Sequence, residues 1–549
     1  MSTTERRAVR LGRSTVVMAT GTALSRITGL GRVIALAFAL GVTESRLADS
    51  YNIANTMPNV IYELILGGVL TSVFIPVVVQ ELKTRRRDEA WEAISALATT
   101  SLLVLIVLSV IAALVAPWIV RLFTLRLSGV EATRQQETAT FFLRVFAPQI
   151  ALYGLAAVAT ALLNAHDKFA VPMFAPVLNN LVLIGTCLAF AAVVSGTPTN
   201  ASVGNSLGEK LLLGVGTTAG VAVMALAIWL FVWRLPGRLR FRPDFRHPAV
   251  HKLARLSAWT LGYVAVNQIG FGIALYLANG VQGGPTAFFT AFAFFQLPYG
   301  IVAVSIMTAL VPTLAASHVD GDDTAFGAWL TGGIRAMAVV LVPATAAYLV
   351  LSRPLVQTLL QHGVMGAAST SLVSEVLDMF SLGLLPFSAF LLFLRAFYAR
   401  QDARTPLGIN VVANAVYIVF SLLLFSSLEI RGLALAHSLS YVVAASVGGV
   451  LLWRSVGGLD LGHTMTEIAK VVAATAVATA AMLGARELIG GAMGAGGLRA
   501  FTQLTVGGGL GALIYLGAAR ALGVEELGML RRLLPGSRSP RASEPEKSR

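Results

Sequence analysis

The sequence predicts an all-α polytopic membrane protein of about fourteen transmembrane helices, built as two pseudo-symmetric six-helix lobes plus two C-terminal helices. Three observations predict it. Of 549 residues, 56% are hydrophobic and only 12% charged, against roughly 45–50% and about 25% in a soluble domain. Apolar runs of about 20 residues, the length that crosses a bilayer core of about 30 Å, recur along the whole chain. Proline and asparagine landmarks then repeat at offsets of about 235–240 residues, as in duplicated transporters.

The elements follow in order. A basic tail over residues 1–15 carries Arg6, Arg7, Arg10 and Arg13 and leads into the first span, Val16–Leu40. That run is too long for the apolar region of a signal peptide and contains Arg26 and Arg32, so it reads as a membrane helix. Spans two to six have cores at Asn52–Val79, Trp91–Ile119, Phe141–Leu163, Pro172–Val194 and Leu211–Trp233, which makes residues 16–235 the N-lobe. Spans seven to twelve are Leu253–Leu277, Phe288–Ala315, Phe326–Leu351, Leu372–Tyr398, Pro406–Phe425 and Leu433–Trp453, within a C-lobe over 250–455. Spans thirteen and fourteen, Ile468–Leu488 and Phe501–Leu522, lie in 464–522, and residues 523–549 form a basic, disordered tail.

The net charge of +14 would suggest nucleic acid in a soluble chain. Here it sorts by topology. One alternating set of segments, including both tails, Leu82–Ala90 and Arg234–Lys252, holds about 24 Lys and Arg, and the other set about 9. The positive-inside bias therefore puts both termini in the cytoplasm. The run from Lys83 to Arg87 sits between two spans without interleaved aromatics, so it reads as a cytoplasmic anchor and not as a nucleic-acid site. The single cysteine, Cys187, lies in an apolar run and excludes a disulfide framework.

The duplication rests on four pairs. Met57-Pro58 matches Leu297-Pro298, and Phe74-Ile75-Pro76 matches Leu310-Val311-Pro312. Asp167 with Pro172 matches Asp402 with Pro406, and Asn179 and Asn180 match Asn410 and Asn414. Six crossings return the chain to its starting side, so the two repeats share an orientation and are related by an axis along the membrane normal, with a cavity on that axis.

Charges at mid-membrane cost at least ~2.5–3.5 kcal/mol and point to function. Ten residues into its span, Arg26 lies about 15 Å deep, and Arg32 follows about 9 Å further along and roughly 120° around. The two reach one spot only if the helix bends, which Gly29 and Gly31 permit. Guanidinium groups match phosphate oxygens bidentately. The competing reading pairs Arg26 with Glu63 of the second span. Asp49, Asn52 and Asn55 either cap the second span or line the cavity mouth. Arg144, Arg335, Glu375, Asp378 and Arg395 lie nearer helix ends and read as structural. Asn267, Gln268 and Gln296 read as interhelical hydrogen-bonding groups.

No catalytic constellation stands out, so the chain does not read as an enzyme. The seven histidines are scattered without metal-ligand spacing, and no P-loop signature is present. Neither a cofactor nor a metal is expected.

Several segments resemble the MurJ (MviN) family of lipid II flippases, within the multidrug/oligosaccharidyl-lipid/polysaccharide exporter superfamily. They are Leu24-Ser25-Arg26-Ile27-Thr28-Gly29-Leu30-Gly31-Arg32, Ala48-Asp49, Pro58-Asn59, Phe74-Ile75-Pro76, Leu163-Asn164-Ala165, and Phe174-Ala175-Pro176. The most specific is Phe397-Tyr398-Ala399-Arg400-Gln401-Asp402 with Thr405-Pro406. The resemblance runs from about Val9 to about Leu522 and is closest in style to actinobacterial members. It implies two lobes in a V around a cationic cavity, in the bacterial plasma membrane. The activity implied is movement of undecaprenyl-diphosphate-linked disaccharide-pentapeptide from the inner to the outer leaflet by alternating access.

By the same resemblance Arg26 and Arg32 engage the diphosphate and Asp49 is functional. Arg400, Gln401, Asp402 and Pro406 are a structural motif, and the last two helices form a groove for the lipid tail. The partners implied are lipid II, membrane lipids and cell-wall synthesis or division proteins, with no nucleic acid. The chain departs from Gram-negative members at Tyr62, Glu63, Gly67 and Ala293, where they carry further charged residues. An ion site described in some members falls near Asn410 and Asn414, which are neutral here. Two other functions stay open: export of another lipid-linked saccharide or an amphipathic drug, and a non-transporting scaffold for cell-wall enzymes.

Overall fold

The computed structural model describes residues 3–63, 78, 80–81, 86–166, 168–458 and 460–528. Gly67, Phe74-Ile75-Pro76, Lys83 to Arg85, Asp167 and the tail beyond Gly528 lie outside these residues, as do the side chains of Tyr62 and Glu63. Among the described residues the secondary structure is helical, with no strand.

In chain order the helices are α1 (Thr3–Leu40), α2 (Leu47–Glu63), α3 (Arg87–Thr124), α4 (Gly129–Phe146), α5 (Pro148–Ala165), α6 (Ala170–Val193), the short α7 (Asn200–Asn205) and α8 (Leu207–Val232). Then come α9 (Pro248–Ala278), α10 (Gly284–Pro298), a π turn at Tyr299–Ala303, α11 (Val304–Val319) and α12 (Asp323–Leu360). The chain continues through α13 (Ala367–Ser381), α14 (Leu384–Ala399), α15 (Arg404–Ser455), α16 (Leu461–Ala492), α17 (Gly497–Thr502), a second π turn at Gln503–Gly507, and α18 (Gly508–Ala521).

Among the described residues, ten stretches are long and apolar enough to cross a membrane, or eleven when α13 and α14, bent by 48°, count as one span. Helix α15 explains part of the difference from fourteen. Its 52 residues would measure about 78 Å if straight, far beyond a core of about 30 Å. At Glu429 the backbone leaves the helix, with φ 51 and ψ −127. Nearby, a Cβ on Gly432 would lie 2.6 Å from the Leu424 carbonyl oxygen, so only glycine allows the chain to turn back this closely. The two halves are spans eleven and twelve. The described part of α2 ends at Glu63, and in α9 the apolar helix described is Val264–Ala278.

The chain divides into two compact units, one of Met1–Phe294, Leu359–Val376 and Asn410–His437, the other of Phe295–Thr358, Leu377–Ile409 and Ser438–Arg549. The first unit holds two large cores. Around Trp91, Ile94, Leu97 and Leu162, α3 packs with α5, α6 and α8. Around Tyr51, Phe142, Phe146 and Phe190, α2 and α4 pack with α6 and α8. Tyr51 meets Phe142 and Phe146 edge-on at 6.1 and 5.5 Å, the geometry aromatic quadrupoles favour, and its hydroxyl lies 3.0 Å from Thr217 Oγ1. This anchor fixes the rotation of α2. Cys187 is buried in the same core as a free thiol.

The glycines of the first span serve packing. Helix α1 runs unbroken through Gly29 and Gly31, and a Cβ on Gly31 would stand 3.3 Å from Ile184 of α6. Small residues here let two helices approach closely, as membrane helix pairs require. Asn180 of α6 donates to Ser25 O at 3.2 Å and Thr28 Oγ1 at 3.0 Å. Its counterpart Asn414 of α15 donates to Asn267 Oδ1 of α9 at 2.9 Å. Span five is thus tied to span one as span eleven is tied to span seven, and each repeat uses the same device.

In the second unit, α16 and α18 pack on α12 through Val339, Val471, Ala474, Ala478 and Tyr515. Tyr515 donates to Val339 O at 2.6 Å. The ionisable residues near helix ends take structural roles: Arg335 pairs with Glu526 at 2.9 Å, and in the first unit Arg431 pairs with Glu375 at 3.3 Å.

The Gly432 reversal can be checked by substitution. Gly432→Val is expected to cost about 1–3 kcal/mol by overpacking and to lower the melting temperature of the detergent-solubilised protein by several degrees. Gly408→Ala, where an added Cβ meets nothing within 4 Å, is expected to leave it unchanged or raise it.

Candidate functional site

The first unit contains a cavity of about 180 Å³ enclosed by α1, α2, α6 and α10. Arg32 reaches it from α1, Asn52, Asn55 and Asn59 from α2, and Thr286 and Thr290 from α10. Leu183 and Phe289 supply apolar walls. The asparagines recur at intervals of three and four residues, so one helical face delivers all three. Asn59 is held from both sides, donating to Asn55 O at 2.7 Å and lying 3.3 Å from the Tyr153 hydroxyl.

Arg32 is the only charged side chain lining this cavity among the described residues. It is half-buried, and its Nε is buried with no hydrogen-bond partner among them. A guanidinium held in an apolar bundle with a donor unused is costly unless a counter-charge compensates it. Ala293 also lines the cavity, so a family position that elsewhere bears an arginine adds no charge here.

The structure brings Arg32, Asn52 and Asn55 together but leaves Arg26 out of the lining. Helix α1 continues without a break through Gly29 and Gly31, and Arg26 is exposed while Arg32 is half-buried, so the two do not share one surrounding. The Arg26–Glu63 pairing lies outside the described residues.

Asp49 takes a role that neither sequence reading named. Fully buried, its carboxylate accepts from Gly283 N at 2.8 Å, Thr286 N at 3.2 Å and Thr286 Oγ1 at 2.7 Å. These groups belong to the first turn of α10, so Asp49 caps a helix more than 230 residues further along, and not its own. A carboxylate at a helix N-terminus satisfies orphan N–H groups and complements the dipole. Asn52 joins the arrangement by donating to Thr286 Oγ1 at 3.0 Å. The cap and the cavity therefore share a residue.

Glu44, in the turn between α1 and α2, was not singled out from sequence. Its carboxylate accepts from Val42 N and Gly366 N, each at 2.7 Å, and lies 2.7 and 2.8 Å from Ser369 Oγ. It holds the first turn of α13 as Asp49 holds that of α10. Val364 N donates to Phe38 O at 3.0 Å and Gln282 Nε2 to Thr43 O at 2.8 Å, closing this end of the cavity. Only the presence of two carboxylates five residues apart, one in the turn and one in the first turn of α2, could have drawn notice.

The most specific family motif forms a turn in the second unit. Arg400 bridges Asp323 Oδ1 at 2.8 Å and Ser455 O at 3.1 Å and lies over the Phe326 ring. Gln401 has φ 61, and Asp402 accepts from Arg404 N at 2.9 Å and Thr405 N at 3.1 Å. Those hydrogen bonds, that of the Thr405 side chain foremost, hold the Asp402 carboxyl below its ordinary value of 3.8. Pro406 occupies the first turn of α15, where a missing N–H costs nothing.

Comparison with known proteins gives a consistent result. The family profile described as Lipid II flippase MurJ matches residues 36–499. A "Probable lipid II flippase MurJ" of Rhizobium meliloti (strain 1021) is 29% identical over 511 residues, covering 92% of this chain and 93% of that one. A "Lipid II flippase MurJ" of Burkholderia cenocepacia (strain ATCC BAA-245 / DSM 16553 / LMG 16656 / NCTC 13227 / J2315 / CF5610) is 28% identical over 458 residues, with 81% and 83% covered. Among solved structures, "Lipid II flippase MurJ, inward closed conformation" superposes with a TM-score of 0.74 at 19% identity, over 94% of this chain and 99% of that one. At that identity the likeness establishes the fold.

The cap can be tested by stability. Asp49→Ala leaves buried N–H groups without an acceptor, at about 1–3 kcal/mol, and is expected to lower the melting temperature. Asp49→Asn, which keeps one acceptor, is expected to fall between Asp49→Ala and wild type.

Proposed function

We infer that this chain, which belongs to the lipid II flippase MurJ family by the match over residues 36–499, is itself a lipid II flippase. It spans the membrane many times and carries undecaprenyl-diphosphate-linked peptidoglycan precursor from the inner to the outer leaflet by alternating access. The observation that carries the reading at the level of chemistry is Arg32, a half-buried cation with an unused donor in a cavity of amides and hydroxyls. That environment suits a diphosphate, whose oxygens accept from guanidinium and amide N–H groups. It disfavours a cationic drug, which would call for acids in the cavity.

At about 180 Å³ the cavity is smaller than the roughly 300–1,000 Å³ of ordinary ligand pockets. It has room for a diphosphate but not for a disaccharide-pentapeptide, so transport requires it to open. The Asp49 and Glu44 caps are the contacts that must break on one side. We assign that side to the outside of the cell, with both termini in the cytoplasm, on the strength of the basic-residue bias. Lobes at 16–235 and 250–455 move against each other in this scheme, and 464–522 holds the lipid tail. Arg26, on the exposed face of α1, meets the diphosphate outside the closed cavity, before Arg32 takes it. Asn52 and Asn55 orient the diphosphate, and the turn around Arg400, Gln401, Asp402 and Pro406 is structural.

The test is a depletion strain that lacks any other flippase, scored by access of an external probe to lipid II. Arg32→Ala is expected to reduce transport about 10–100-fold, the equivalent of the roughly 1.5–3 kcal/mol of a hydrogen bond to a charged group. Arg32→Lys is expected to recover part of it, as charge without bidentate geometry. Unchanged external lipid II on depletion would overturn the reading. Full transport by Arg32→Ala at normal expression would overturn the anion-binding role alone.

A further inference from the structure

We propose that His463, Glu467 and Glu525 form a binding site for one divalent transition-metal ion, with zinc as the informative probe. The site lies in the second unit, apart from the cavity, where the first turns of α16 meet the chain just after α18. His463 and Glu467 are four residues apart on α16 and so share a face. Asp460 accepts from His463 N at 3.0 Å and fixes the start of that helix. Glu525 arrives from the other side of the hairpin, 62 residues beyond His463. Its position is set by Val524, which is buried against Val471 and Ala519 and donates from its N to Ala519 O at 3.0 Å.

One ligand atom from each of the three residues lies within 4.8 Å of the others. His463 Nε2 and Glu525 Oε2 are 3.5 Å apart. Two ligands on a tetrahedral zinc with bonds of about 2.0–2.1 Å are separated by about 3.3 Å, so this pair needs almost no movement to share an ion. Glu467 comes within reach because Glu525 N donates to its Oε2 at 3.4 Å. An imidazole with two carboxylates suits zinc and its neighbours in the first transition row better than calcium or magnesium, which prefer oxygen alone.

Charge points the same way. Glu467 and Glu526 are almost completely buried, with side chains 2% and 1% exposed, and Glu525 stands beside them. A third base, His463 at 3.5 Å from Glu525, is neutral when it ligates a metal, which leaves two cations for these three carboxylates: Lys470 at 2.6 Å from Glu467 and Arg335 at 2.9 Å from Glu526. Glu526 Oε2 is buried with no hydrogen-bond partner among the described residues. The cluster is one positive charge short, and a divalent ion supplies it. Lys470, one-third exposed, can swing to solvent as the ion takes Glu467. The bound metal clamps the end of the last helix onto the start of α16 and stiffens the C-terminal hairpin.

The experiment uses the tag-free, full-length protein in detergent, stripped with chelator and titrated with Zn²⁺ by calorimetry and with Co²⁺ by visible absorption. One ion per chain is expected, with a Co²⁺ d–d band that His463→Ala abolishes. His463→Ala and Glu525→Gln, both at partly exposed positions, are each expected to weaken Zn²⁺ binding at least about tenfold while elution volume and helical signal stay unchanged. Lys470→Met removes the competing ammonium and is expected to tighten binding, which a purely structural ion pair would not do. The proposal is overturned if the stripped wild type takes up no Zn²⁺, if His463→Ala with Glu525→Gln binds as wild type does, or if Lys470→Met weakens binding.

Discussion

The N-terminus of α10 is the point on which the arrangement around the cavity depends. Its first N–H groups have no partners within the helix, and buried as they are they cannot turn to water. The buried carboxylate of Asp49 answers them from α2. That single side chain holds two distant parts of the sequence in register and, through Thr286 and Asn52, sets the wall of the cavity. Tyr51, two residues on, locks the opposite face of α2 into an aromatic core. Between the two anchors α2 has no freedom to rotate, and its asparagines face Arg32.

Glu44 repeats the principle on a different helix start. Two carboxylates, one from the turn before α2 and one from its first turn, thus hold α13 and α10 by hydrogen bonds, each worth little net but costly to leave unmade when buried.

Much of this was legible in the sequence, and the exceptions have identifiable causes. Helix positions followed from the length of the apolar runs, which also separate span eleven from span twelve between Phe425 and Leu433. The equivalence of Asn180 and Asn414 could be read from their spacing, although the partners they hold could not. Gly29 and Gly31 were legible as small residues but not in purpose: a glycine permits either a bend or a close approach, and only the neighbouring Ile184 decides between them. For the same reason Arg26 and Arg32 looked alike along the chain and turned out to face different surroundings.

By itself, then, the sequence determined the class of protein, the places where the chain crosses the bilayer and the family to which it belongs. Those are matters of composition, run length and local motif, and local physics settles them. The tertiary structure alone decided which helix Asp49 caps, which of the two arginines enters the cavity, and that His463 meets Glu525. Each of these depends on residues from 62 to more than two hundred positions apart, brought together by the rotation and packing of helices. A carboxylate or a guanidinium carries no record in the sequence of the surface it will meet.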